Sequence, residues 1–274
     1  MKSQWPSSWL SALPGLPNGV QAVFTSREGG VSQPPFDSLN LGDHVRDDPH
    51  AVVTNRARLR EMLGVRPIFL KQVHGTAVAQ LDAQTRDGTE ADACVTDQRG
   101  LACTIMVADC LPVLFAHASG RVVAAAHAGW RGLASGVLEH CFEAYARAVQ
   151  RSGVEQQGGA VAAQTWVWLG PCIGPNAFEV GPEVEAAFVA QQPDAMACFE
   201  SAPGSADKRL ANLSALARQR LQRLGLPPPH GNDGSSRWCT VSHSGRFFSH
   251  RRDAAALGST GRLAACIWIG DQAA

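Results

Sequence analysis

Residues 101–129 read LACTIMVADCLPVLFAHASGRVVAAAHAG, the most apolar stretch of the chain. A membrane helix needs about 20 uninterrupted apolar residues. Here Asp109 and Arg121 interrupt the run, Pro112 breaks any helix near its middle, and His117 and His127 sit inside it. The stretch therefore reads as successive buried strands over 102–107, 113–117 and 122–127.

Working outward, short apolar β-branched runs predict further strands over 20–25, 68–73, 77–81, 93–96, 165–170 and 263–269. Helical periodicity appears over 51–63, 133–150, 182–191 and 210–224. In the last, Leu210, Leu213, Leu216, Ala217, Leu221 and Leu224 form a one-sided stripe of the kind that packs on a core. Strands outnumber helices and follow one another in hairpin-like order between 68 and 127. That predicts an α/β (α+β) layered sandwich, a mixed β-sheet core with helices packed outside, and not a regular βαβ series. Residues 151–160, rich in Gly and Gln, and 226–236, with three prolines, read as surface loops. Neither separates halves of different composition, so 1–274 reads as a single domain.

The chain has 274 residues, of which 45% are hydrophobic, enough for a substantial core. Lys plus Arg and Asp plus Glu both number 24, so the net charge is zero. That argues against a general binder of nucleic acid or anionic membrane, which needs a basic excess. No apolar run of secretory length follows Lys2. The expectation is a soluble cytoplasmic protein, a monomer or weak homo-oligomer. The eight cysteines include no C-x-x-C pair, and in that setting they are expected to be reduced and mostly buried.

Three segments place a soft ligand at the end of an apolar run, beside a Gly or Pro turn: Lys71-Gln72-Val73-His74-Gly75, Val107-Ala108-Asp109-Cys110-Leu111-Pro112 and Ala126-His127-Ala128-Gly129-Trp130-Arg131. Strand ends are where a rigid scaffold presents side chains to a cleft. His74 and Cys110 lie 36 residues apart, and Cys110 and His127 lie 17 apart, unlike the closely paired ligands of a zinc finger. Two His and one Cys suit a catalytic zinc with an open fourth position. Cys110 with His127 equally suits a thiol nucleophile and its base. Spacing does not choose between these. Cys172, in Gly-Pro-Cys-Ile-Gly-Pro, is expected to stand outside any metal site.

With Thr25-Ser26-Arg27-Glu28-Gly29-Gly30, Leu39-Asn40-Leu41-Gly42, Asn55-Arg56, Ala91-Asp92-Ala93, Gly170-Pro171-Cys172-Ile173-Gly174-Pro175, Phe178-Glu179-Val180, Arg251-Arg252-Asp253 and Thr260-Gly261-Arg262, these segments occur in a specific joint order over about residues 20–270. In them the chain resembles the bacterial laccase-domain family, also called the YfiH or multicopper polyphenol oxidase-like family, whose members are described as purine nucleoside phosphorylases. The resemblance implies one metal, usually zinc, held by His74, Cys110 and His127. It implies a sandwich similar to that of a toxin deamidase with a Cys–His pair. It also implies adenosine deamination beside phosphorolysis. Two positions depart from the family pattern: His250 stands where a tyrosine is usual, and Asn212 where Asp often precedes Leu213.

On this reading the substrates are purine nucleosides (adenosine, inosine, S-methyl-5′-thioadenosine) and phosphate. Asp109, Cys110 and His127 are the candidate catalytic residues. Arg27, beside flexible Gly29-Gly30, Arg131, before an expected helix, and Arg251 are candidates to hold the anion. Phe178 offers apolar contact to a base, and Asn40 and Gln72 are further candidate substrate contacts. Two alternatives stay open: a Cys–His amide hydrolase editing peptidoglycan precursors, and a copper-dependent polyphenol oxidase. Against the last, the chain holds nine histidines and no His-x-His pair, whereas a blue copper coupled to further copper centres needs several.

Overall fold

The computed structural model describes residues 5–11, 13–153 and 160–270, so most of the expected loop at 151–160 lies outside the described residues. The 101–129 stretch forms three strands, β5 (Leu101–Val107), β6 (Leu111–His117) and β7 (Val123–Ala128), all buried throughout. They do not share one sheet, contrary to the hairpin-like reading. β6 and β7 pair antiparallel in a six-stranded sheet, whereas β5 belongs to a four-stranded sheet. The chain changes sheet through Ala108-Asp109-Cys110, where Asp109 adopts a left-handed φ of 86°.

In the four-stranded sheet β5 lies between β13 (Leu263–Ile269), antiparallel, and β2 (Arg66–Phe69), parallel, and β1 (Val20–Phe24) closes the far side of β13. The six-stranded sheet runs β12 (His230–Gly231), β8 (Thr165–Leu169), β6, β7, β4 (Ala93–Thr96), β3 (Val78–Gln80). A small third sheet joins β10 (Phe199–Ser201), β11 (Arg209–Ala211) and β9 (Glu179–Val180).

Side-chain alternation along strands builds the layers. On β5, Leu101, Cys103, Ile105 and Val107 face the six-stranded sheet, meeting Leu114, Ala116, Val123 and Ala125 in one core. Ala102 and Met106 face the other way, onto Leu59 and Leu63 of α1 (Pro49–Leu63). On the outer face of the six-stranded sheet, Val113, Phe115 and Ala124 meet Val137, Cys141 and Tyr145 of α3 (Val137–Arg151). The order is helix, sheet, sheet, helix, the expected layered sandwich.

The helix expected over 133–150 divides into α2 (Trp130–Ala134) and α3, because Gly136 between them adopts a φ of 97°. α4 (Pro182–Val189) falls inside its expected range. The stripe at 210–224 loses its first residue: Leu210 pairs in β11, and α5 (Leu213–Arg223) starts after Asn212, whose side chain accepts from the Ala215 amide. A sixth helix, α6 (His250–Leu257), is capped reciprocally: Ser249 Oγ accepts the Arg252 amide and Asp253 accepts the Ser249 amide. All eight cysteines are free thiols.

Candidate active site

His74 follows β2 in a left-handed conformation, φ 60°, which a non-glycine residue adopts only when its surroundings hold it. The carboxylate of Asp92 does so. It accepts the successive amides of Val73 (3.1 Å), His74 (2.9 Å) and Gly75 (2.7 Å). Its Oδ1 also accepts from His127 Nδ1 at 2.8 Å, and its backbone carbonyl accepts the His127 amide. One buried acid thus aims both imidazoles, and its bond to Nδ1 leaves His127 Nε2 free to ligate. Burial pushes this carboxyl up. The bonds from His127, Gly75 and Val73 outweigh burial and hold it below the usual range.

Cys110 follows Asp109 at the crossing between the sheets. The Asp109 carboxylate accepts from Thr240 Oγ1, from Ser249 Oγ (3.0 Å) and from the Arg251 amide (2.6 Å). It therefore ties the crossing to the start of α6. Cys110 Sγ comes within 3.7 Å of His74 Nε2, and the donor atoms of His74, Cys110 and His127 all lie within 4.8 Å of one another. Residues 36 and 17 positions apart in sequence thus converge on one point, and two imidazoles with a thiol are a donor set for zinc or copper. Gly129 keeps the space clear. A Cβ there would stand 2.7 Å from His74 Cδ2 and 3.1 Å from Cys110 Sγ.

Burial pushes the Cys110 thiol up. The charge of His127, then hydrogen bonds from His127 and His74, more than reverse this, and the thiol falls to about 6. Burial pushes His127 down, but the Cys110 charge and the bonds to Asp92 and Cys110 more than reverse this and raise it. A thiolate facing an imidazolium is the protonation state ready to exchange its proton for a metal.

The three donors open into a cavity of about 440 Å³, a size suited to a small organic ligand. Of the residues singled out in the sequence, Gln72, Asp109, Arg131, Phe178 and Arg251 line it with the three donors. Gln72 is held by both polar ends to the Met106 backbone. Arg251 lies near the Phe178 ring and donates to the carbonyls of Ala177 and Glu179.

Arg27 and Asn40, read in the sequence as candidate substrate contacts, do not line this cavity. The Arg27 guanidinium donates to the Asp37 and Ser244 carbonyls, pairs with the Asp37 carboxylate and lies over Phe248. Asn40 is fully buried and bonded to Gly42, Asp47 and the Arg262 amide. Cys172 is buried and is not one of the three clustered donors; Asn232 Nδ2 lies 3.3 Å from its sulfur.

Sequence reasoning left Asp92, His44 and Arg262 without roles, although His44 and Arg262 line the cavity. Asp92 and Arg262 sit in matched segments just ahead of apolar strands, a charge-before-core signal that marks both. His250, one of the two departures, lines the cavity from the first turn of α6.

The family model for multi-copper polyphenol oxidoreductase laccase matches residues 21–270. The chain is 46% identical to a purine nucleoside phosphorylase of Pseudomonas aeruginosa, over 97% of this chain and all of the relative. It is 43% identical to the purine nucleoside phosphorylase YfiH of Escherichia coli, over 97% of each. A crystal structure of a Neisseria meningitidis protein superposes with a TM-score of 0.84 at 41% identity, covering 97% of this chain and all of that one.

Proposed function

The chain belongs to the multi-copper polyphenol oxidoreductase laccase family, and we propose that it is a zinc-dependent purine nucleoside phosphorylase. On this reading it splits adenosine, inosine or S-methyl-5′-thioadenosine with phosphate into free base and ribose 1-phosphate or its methylthio counterpart. The observation that carries the reading is the convergence of His74, Cys110 and His127 at a cavity lined by cationic side chains. Relatives named purine nucleoside phosphorylase, matched over nearly their whole length, support it.

His74, Cys110 and His127 would hold the metal, with Asp92 orienting both imidazoles. Zinc bound by three protein ligands supplies Lewis acidity at an open position. The chain itself supplies binding and alignment. Phe178 and Ile173 offer apolar surface to a purine, and the cationic lining holds an anionic nucleophile near the sugar. Asp109 lines the same space and is proposed to orient or exchange protons with a ligand, within the limits its three donors set. Water attacking C6 of the purine, with ammonia as the leaving group, makes adenosine deamination the second activity proposed. The free thiols support a reducing, cytoplasmic setting.

The test is release of free base from inosine or adenosine by metal-analysed protein, with and without phosphate. Phosphate-dependent release, abolished by His127→Ala together with bound zinc, is the expected result. A second reading rests on the lowered Cys110 thiol, which also suits a nucleophile toward a cell-wall amide. Zinc-loaded protein that releases no base at any phosphate level, while metal-free protein cleaves the amide, would establish that reading instead. Copper in place of zinc in the purified protein would correct the metal.

A further inference from the structure

Among the arginines lining the cavity, Arg262 differs in how it is held. Arg131 is exposed and lies over its neighbour Trp130, and the Arg251 guanidinium is engaged by two carbonyls. Arg262 is half-buried. Among the described residues only its Nη1 is engaged, by the carbonyls of Thr260 (3.1 Å) and Gly261 (3.2 Å). No carboxylate among the described residues forms an ion pair with it. Asp109, the one acid lining the cavity, is already bonded to Thr240, Ser249 and the Arg251 amide.

The chain positions this side chain closely. Asn40 Oδ1 accepts the Arg262 amide at 2.8 Å, and the Leu41 amide donates to the Arg262 carbonyl. The aliphatic stem lies against Gly42, where a Cβ would stand 2.6 Å from Arg262 Cγ. The segment Leu39-Asn40-Leu41-Gly42 therefore acts as a seat for one arginine. His44, two residues further on, lines the same cavity. Burial, then the Arg262 charge, hold its imidazole below the ordinary range. The acid beside His44 is Asp43, which also pairs with Arg56.

Burial weighs against the Arg262 charge; Cys110 and Asp109 favour it through space, but no carboxylate among the described residues pairs with it directly, so its outer donors stay available. A guanidinium held rigidly in a ligand cavity with donors to spare suits a planar or tetrahedral oxyanion, bound in a fork. We propose that Arg262, with His44 beside it, forms the subsite that binds inorganic phosphate in this cavity. This rests on the phosphorylase reading above for the identity of the anion, and it assigns the role first expected of Arg27 to a residue more than 200 positions later.

The experiment uses zinc-loaded protein and inorganic phosphate as the probe. Phosphate binding is measured by calorimetry, and phosphorolysis by base release, for the wild type and for Arg262→Gln, Arg262→Lys and His44→Gln. In Arg262→Gln, phosphate affinity should fall and KM for phosphate rise roughly 10- to 100-fold, the loss of a charge-assisted contact. KM for inosine and zinc content should stay within about twofold of wild type. Arg262→Lys, which keeps the charge and stem without the fork, should fall between. His44→Gln should weaken phosphate in the same direction and covers the case in which Arg262→Gln does not fold. Phosphate binding unchanged in the folded variants overturns the proposal, and so does a wild type that binds no phosphate. A loss confined to nucleoside 5′-monophosphates also overturns it, by giving the anion to an esterified ligand. A wild type that binds phosphate through Arg262 yet releases no base would leave the subsite standing and remove the phosphorylase reading.

Discussion

Gly129 keeps clear the space of two of the three donors, since any side chain there would enter the space of His74 and Cys110. If His74, Cys110 and His127 hold zinc as proposed, Gly129→Ala should therefore lose most of it while the fold survives. Metal analysis and circular dichroism check this together, and full zinc content in the variant would show that the donors have room to shift. Cys110 carries a second consequence. In metal-free protein burial raises its thiol, but His127 and His74 bring it to about 6, below the ordinary ~8.5. A depressed acid stabilises the folded state above its unfolded pKa, and that contribution is lost as pH falls through the folded one. The ultraviolet absorbance of the thiolate should thus appear with a midpoint near 6, stability should decline as pH falls through that region, and Cys110→Ser should lack both effects. A midpoint near the ordinary value would show that the imidazoles do not face the thiol.

Helix α1 links the core to the cavity through one side chain. Asn55 is fully buried, accepts the Val31 amide, and donates to Ser32 Oγ and to the carbonyls of Ser38 and Asn40. It pins the segment that ends in the seat of Arg262. Asn55→Ala leaves several buried polar groups without partners, at about 1–3 kcal/mol for each that finds no water. The variant should lose about 3 kcal/mol in denaturant unfolding. If Arg262 binds phosphate, it should also raise KM for phosphate while zinc content holds. A change confined to zinc content would show that the segment serves the metal side instead. Helix α6 has a parallel role, since Asp109 accepts its Arg251 amide and so fixes the Cys110 crossing against it.

The two sheets depend on one shared core. Leu114 is fully buried between them, so Leu114→Ala should cost about 2–5 kcal/mol of stability. Denaturant unfolding checks it, and a loss under about 1 kcal/mol would mean that the sheets do not pack there as described. Strands 93–96 and 263–269 were legible to the residue, because each is a short apolar run with clear borders. β9 to β12 were not, being two or three residues long, too short to show a period. α6 carries too much charge to show a stripe. His74, Cys110 and His127 were legible as soft donors beside Gly or Pro at strand ends. Asp92 and Arg262 were not, because a carboxylate that orients two imidazoles and a cation that no carboxylate among the described residues pairs with are defined by what surrounds them. The sequence by itself determined the layered class, most strands and the three donors, since apolar period and turn chemistry are local properties of the chain. Only the tertiary structure decided that β5 leaves the β6–β7 sheet to pair with β13, and that residues 40–44 meet residue 262 at the cavity wall. Such pairings join segments some 160 to 220 positions apart, and which of them form is settled by the burial and hydrogen bonding of the whole chain.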